Sequence, residues 1–500
     1  GSAALHTEFA RIHRAAGTFP SICTGRGCSG GGRSGSSGLL LTHLEQGSSV
    51  ETTGGLRHVH AHEAHHRTVF VSGGGLHCLG LRLYHVRRRH VGVTENGGLL
   101  ISLLRASQDG TLPALPEDIA GWEELYALSH RHRVEAVICD TVHGRDEFAT
   151  LPDGLKKRFI CDARATVAVQ SKRSEDFARI YRRLREKGLS PLVVKGISCR
   201  RLWKNPDARP SGDEDLIIRP EWLGDVLAVM EENGFAVSRE GDVVCYSPLS
   251  GLTVEIHTSL FPTDSEYFSG FNGCFDRVFE SPDLFTACGT EFLTPEPTLF
   301  VTYLFLHALK HFVHSGVGIR QLFDISLFAG SCGQKTDWGF VYRAAESAGA
   351  VGWYAAVLSV LRNEIGLDTV SAGIPSGHIG RTDTAPLIDD IISGAVFGAY
   401  DMARHHSGSI TLGEVEGGGL LKTLFPPLRV MKKRYPFLDD RPFLLPAAWL
   451  RRIAGYRKEA KKTGASLSRS LEIGNGRKKL LKKYGVGKKR RGTPTFSERK

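Results

Sequence analysis

Between residues 174 and 257, short apolar segments of strand character alternate with amphipathic helices, and after Pro297 the pattern is helical almost throughout. That order predicts a small mixed β-sheet flanked by helices and followed by a C-terminal helical domain, an α+β class. Phe177, Ile180, Tyr181 and Leu184 fall at i, i+3, i+4 and i+7, with Ser174 as the expected cap and Gly188 as the stop. Strands are expected over 191–195, 213–218, 235–238, 243–247 and 253–257. Pro220 opens a helix that carries Trp222, Leu223, Val226, Leu227 and Met230 on one face. Further helices are expected over 298–314, 318–329, 337–348 and 350–366.

The ends differ from the body. Residues 1–93 contain no Lys, Met or Asp but hold 11 of the 21 histidines, including the run His58–His66. Composition this skewed rarely builds a core, so an unstructured extension, or translated upstream sequence, is expected, with at most weak metal binding by the histidines. Residues 451–500 hold 18 Lys/Arg against 3 Glu, whereas the body from 94 to 450 carries a net charge of −10. The overall +11 therefore reflects the ends, and any nucleic-acid contact is expected only through a basic, frayed tail. The expected division is 1–93 extension, 94–170 helical lead-in, 171–295 sheet-bearing core, 296–456 helical domain and 457–500 tail. Ten scattered cysteines without a C-x-x-C pair argue against structural zinc and for reduced thiols. No apolar run approaches ~18 residues, and no signal-peptide pattern opens the chain, so a cytoplasmic protein without a membrane span is expected.

The chemistry concentrates in Arg209-Pro-Ser-Gly-Asp-Glu-Asp-Leu-Ile-Ile218. Side chains alternate along a strand, so Asp213 and Asp215 share a face and Glu214 takes the other. Two carboxylates at a strand's start can hold magnesium together with substrate phosphates. Phosphoryl and nucleotidyl transfer commonly use two such ions about 3.5–4 Å apart. A bare D-x-D is a weak signal, because solvated acidic pairs are common. Three neighbours strengthen it. Lys195-Gly196-Ile197-Ser198 ends the preceding strand where a helix begins, a place suited to phosphate, although a plain strand-to-helix turn reads the same way. Arg209 can meet a phosphate bidentately or pair with an acid. Glu255, with His257 on the same side of its strand, can supply a third carboxylate that ligates metal or takes a proton from an attacking hydroxyl. On the helix 298–314, Lys310 can reach a triphosphate, and His307 and His311 lie four apart. The H-E-x-x-H glutamate is missing there, so packing or substrate contact is the better reading of the two histidines. Asp324 is expected to pair with Arg320, four residues earlier.

Together, Leu192–Ile197, Arg209–Ile218 and Val254–His257 resemble an uncharacterised bacterial nucleotidyltransferase family of the DNA polymerase beta superfamily. His307–His311, Arg320–Ile325, Leu424–Pro427, Arg434–Pro436 and Leu444–Trp449 resemble its helical motifs, so the resemblance spans about Thr94 to Tyr456. It implies transfer of a nucleoside monophosphate from a nucleoside triphosphate to a hydroxyl, with Mg2+ (or Mn2+). It implies Asp213, Asp215 and Glu255 as metal ligands, and Lys195, Gly196, Ser198, Arg209 and Lys310 as contacts to the nucleotide. Gly196 and Ser198 stand where the superfamily has its phosphate turn but are separated by Ile197. Two other classes fit a D-x-D: a glycosyltransferase, which would want a longer strand–helix alternation before it, and a non-catalytic binding module with a degenerate site.

Overall fold

The computed structural model describes residues 95–239, 243–396, 402–417, 425–463 and 467–487. The expected N-terminal extension, the histidine run and residues 488–500 lie outside them.

The chain enters through four helices, α1 (Glu95–Asp109), α2 (Ile119–His132), α3 (Glu135–Val142) and the short α4 (Asp146–Ala149), followed by the 34-residue α5 (Asp153–Glu186). The first four residues of the expected 174 helix are thus mid-helix. Ser174 is not a cap: it is buried, and its hydroxyl donates to the Gln170 carbonyl at 2.8 Å. Nothing in 153–173 breaks the helix, so the expected boundary at 170 falls inside it. Gly188, at φ 79°, ends it as expected.

Next come β1 (Leu192–Val193), the one-turn α6 (Ile197–Arg200), β2 (Glu214–Ile217), α7 (Leu223–Glu232), β3 (Ala236–Ser238), β4 (Val243–Tyr246) and β5 (Thr253–His257). Two strands unforeseen from the sequence follow, β6 (Asp283–Ala287) and β7 (Thr290–Thr294). They form a hairpin across Cys288 and Gly289, both at positive φ (48° and 64°), which matches the twist of a two-residue turn. The seven-stranded sheet has the order β3-β4-β5-β2-β1-β7-β6. It is mixed: β5 runs parallel to β2, and β7 parallel to β1, while β1 and β2 are antiparallel.

One sheet face packs on α5 and α7. Phe177, Ile180, Tyr181, Leu184, Val226 and Met230 meet Leu216, Ile218, Val254 and Ile256 in one apolar cluster. The rest of the fold is helical: α8 (Pro297–His314), α9 (Ile319–Cys332), α10 (Trp338–Ser347), α11 (Val351–Val360) and α12 (Ala385–Gly394). Glu296 caps α8 by accepting from the Thr298 and Leu299 amides, and Pro297 occupies the first turn. The lead-in and these helices share one core, in which Trp122, Phe159, Phe300, Phe312 and Trp353 are all buried. They are one packed body and not two.

Further on lie α13 (Met402–Val415), α14 (Leu428–Arg434), α15 (Phe437–Asp440), α16 (Leu445–Thr463) and α17 (Leu467–Lys483). The expected frayed tail is therefore corrected over 467–487. Arg477 is buried, donates at 2.7 Å to both carboxylate oxygens of Asp390, and donates to the Phe312 carbonyl at the end of α8. Lys478 and Lys482 pair with Glu414, and Lys483 with Asp383. These four of the nine Lys/Arg over 477–491 are engaged within the fold, and Lys488–Arg491 lie outside the described residues. No helix among the described residues is long and apolar enough to cross a membrane.

Candidate active site

The site is built on the centre of the sheet. β2 and β5 lie side by side, and their register sets Asp215 opposite Glu255 and Ile217 opposite His257. Period-two alternation turns Asp215, Glu255 and His257 to the face away from the α5–α7 core. His257 Nε2 lies 2.9 Å from Asp215 Oδ1 and 3.5 Å from Glu255 Oε2. Asp213 stands just before β2. Its loop is pinned by four bonds: Ser211 Oγ to the Asp213 carbonyl, the Ser211 amide to Gln170, Arg173 to the Ser211 carbonyl and Arg320 to the Pro210 carbonyl. Lys195, at the end of β1, reaches between the two aspartates, with Nζ 2.8 Å from Asp215 Oδ2 and 3.9 Å from Asp213 Oδ2.

The charges act on one another at short range. Burial opposes ionisation of Asp215, yet Lys195 and His257 outweigh it and hold the carboxyl below the usual range. Asp213 is pushed up to about 7 by burial, with Asp215 adding to the rise and Lys195 opposing it. Burial works against the Lys195 ammonium, but the aspartates keep its pKa well above the ordinary value. His257 is raised to about 9: burial disfavours its charge, and hydrogen bonds to Asp215 and Glu255 overcome that. A histidine with a folded pKa above its unfolded 6.5 adds stability that is complete below 6.5 and lost as pH rises through about 9. In chelator, the stability advantage of wild type over His257→Gln should therefore shrink between those pH values, as read by thermal melting. Parallel profiles for the two proteins would contradict the assignment.

The donor chemistry suits a cation. Asp215, Glu255 and His257 offer ligand atoms that all lie within 4.8 Å of one another. Asp215 Oδ2 is buried and meets the Lys195 ammonium at 2.8 Å, so a bound cation would share this carboxylate with the lysine. The compact set differs from the expected one: His257 joins it, and Asp213 sits at its edge, linked through Lys195. The sequence signal for His257 was its place two residues from Glu255 on one strand.

Three of the expected nucleotide contacts are otherwise engaged. Glu214, on the opposite face as expected, accepts the Ile197 amide at 2.7 Å and pairs with buried Arg200 at 2.8 Å. Its carboxylate thus occupies the helix start that was expected to greet a phosphate. Ser198 is buried, and its hydroxyl donates to the Lys195 carbonyl. Gly196 is required by this packing: φ is 61°, and a Cβ there would lie 1.9 Å from Glu214 Oε2. Gly196→Ala should cost about 3 kcal/mol or more, from backbone strain and disruption of the Glu214–Arg200 pair. Equilibrium denaturation measures it, and a loss below 1 kcal/mol, on the order of an ordinary surface change, would show that the turn relaxes freely. Arg209 is buried, and its guanidinium forks onto Asp324, so it is not open to a phosphate. Asp324 is consequently not the partner of Arg320, whose guanidinium instead reaches the Pro210 carbonyl.

Helix α8 borders the site. Tyr303 and His307 are buried near enough to Lys195 for its charge to act on both. His307 and His311 approach Nε2 to Nε2 at 2.9 Å. Burial, reinforced by Lys195 and Lys310, holds both well below the ordinary histidine range, hence neutral. Lys310 is half-buried on the same helix.

A mixed sheet thus sets carboxylates on two adjacent strands, bordered by the partly buried Lys195 and a helical body. Residues 118–362 match the model of a family described as uncharacterised nucleotidyltransferase. No curated protein and no solved structure matches the chain. The match, and the single strand before the aspartates among the described residues, leave the glycosyltransferase alternative without support.

Proposed function

We propose that the protein transfers a nucleoside monophosphate from a nucleoside triphosphate to a hydroxyl acceptor, with Asp213, Asp215 and Glu255 holding Mg2+ (or Mn2+). The observation that carries this reading is the in-register pairing of Asp215 with Glu255 beside the Lys195 ammonium. Bound divalent ions would supply charge neutralisation for the triphosphate and polarise the reacting oxygens. Glu255, kept ionised by its bond to His257 against the effect of burial, is available to accept the proton of the acceptor hydroxyl. The hydroxyl oxygen then bonds to the α-phosphorus, the bond to the bridging oxygen breaks, and pyrophosphate leaves. His257 orients Asp215 and Glu255 through its two contacts. Lys195 balances the carboxylates and is the cation nearest to arriving phosphates, with Lys310 on α8 as a second. The free cysteines among the described residues and the nucleotide substrate fit a cytoplasmic setting.

Incubation with labelled nucleoside triphosphates, Mg2+ and cell extract tests the reading. Wild type should label an acceptor, and Asp213→Ala/Asp215→Ala should not. Equal labelling by both proteins would refute the assignment, and absence of labelling by either across all four bases would favour a non-catalytic binding module.

A further inference from the structure

Beyond the nucleotide site, the segment 425–463 carries an unpartnered face. Its inner side is a small core of its own: Met431, Leu438 and Ala448 are buried, and Trp449 packs edge-on against Phe425 while donating to the Pro426 carbonyl at 2.9 Å. The other side of α16 and the turn before it point outward. Phe443, Pro446, Ala447, Leu450 and Ala454 recur at helical spacing and are all exposed, with Phe443 at 75% and Leu450 at 69%. Large apolar side chains left bare on one helix stripe mark an interaction surface.

The charge around the stripe says what covers it. Residues 425–463 hold 11 Lys/Arg against three Asp/Glu, a local +8 in a chain whose 94–450 body is net acidic. Arg441 and Arg451 adjoin the stripe along the chain, are exposed, and have no carboxylate partner among the described residues. Of the three acids in the segment, Asp439 is already paired with Lys432 at 3.2 Å. A helix that offers an apolar stripe beside exposed arginines without carboxylate partners matches the boundary of an anionic lipid leaflet, where the stripe enters the acyl region and the guanidiniums meet phosphates. The Pro-Phe-Leu-Leu-Pro start fits this, because it places Phe443 at the tip of a turn where a ring can insert without disturbing the buried side.

We propose that the face formed by Phe443, Pro446, Ala447, Leu450 and Ala454, with Arg441 and Arg451, docks the protein reversibly on an anionic membrane surface. This does not depend on nucleotidyl transfer. The test is co-sedimentation of the full chain with phosphatidylcholine vesicles containing or lacking 30–40% (roughly the range that gives a strong surface potential) phosphatidylglycerol. Wild type should sediment with the anionic vesicles at low salt, and at least about tenfold less with neutral ones or at high salt. Phe443→Ser/Leu450→Ser should lose most of the binding. Both residues are exposed, so the melting temperature should be unchanged, which separates lost docking from lost folding. Arg441→Gln/Arg451→Gln should weaken binding to anionic vesicles and reduce its salt dependence. No vesicle binding by wild type, or equal binding by the Phe443→Ser/Leu450→Ser protein, would overturn the proposal. So would a dimer in sedimentation equilibrium that those two substitutions dissociate, because a second copy would then be the occupant.

Discussion

Asp215→Asn should lower nucleotidyl transfer by at least about 10³-fold, roughly 4 kcal/mol of transition-state stabilisation. Asp215 is 2% exposed, pairs with both Lys195 and His257, and belongs to the compact donor set suited to a cation. The amide keeps the shape but removes the charge and one acceptor oxygen. Lys195 and His257 then face no counter-charge at that position, which disfavours a third cation there. Asp213, being more exposed and at the edge of the donor set, should show a smaller loss on the same change. Initial rates with labelled nucleoside triphosphate measure both, with circular dichroism as the check on folding. Retention of activity within tenfold for Asp215→Asn would place the chemistry elsewhere.

Asp324→Ala should destabilise the fold by about 3–5 kcal/mol, although it lies outside the carboxylate cluster. Asp324 is buried on α9 and accepts from Trp203 at 2.8 Å and from two nitrogens of Arg209. Alanine leaves the Arg209 guanidinium buried without a counter-ion and the Trp203 N–H without a partner. Because Arg209 opens the loop that ends in Asp213, activity should fall along with stability. Replacing both members, as Arg209→Met/Asp324→Leu, removes the stranded charge and should recover much of the stability without restoring the loop's alignment. Denaturant unfolding gives the first result and transfer rates the second. A loss below about 1 kcal/mol for Asp324→Ala would mean that water reaches Arg209.

The short-range parts of this architecture were legible in the sequence. Period-two alternation gave the strands bearing Asp215 and Glu255, with Asp213 falling just before the first of them, and helical periodicity gave α8 to α11 within a few residues. What stayed hidden depends on contacts far apart in the chain. Arg209 and Asp324 are 115 residues apart, so an exposed phosphate ligand and a buried counter-ion looked alike. Arg477 and Asp390 are 87 apart, and a charge-rich helix read as a frayed tail because its partners were out of view. Glu214 looked like a bystander until its carboxylate met the Ile197 amide, which also explains Gly196 by close packing instead of phosphate access. The β6–β7 hairpin escaped because Cys288-Gly289 is an unusual pair for a two-residue turn, which more often carries Asn-Gly or Asp-Gly. Ser174 read as a cap because serine suits a helix start, whereas here it lies mid-helix and its hydroxyl bonds back to the Gln170 carbonyl four residues earlier.

The central claim is transfer of the α-phosphoryl group with its nucleoside by the carboxylates on β2 and β5. Parallel reactions with α-labelled and γ-labelled nucleoside triphosphate, in the presence of Mg2+ and of Mg2+ with excess chelator, test it most directly. The α-label should enter the acceptor with release of one pyrophosphate per transfer, and both chelator and Glu255→Gln should suppress it. Incorporation of the γ-label, or α-label transfer that survives chelation and loss of Glu255, would contradict it.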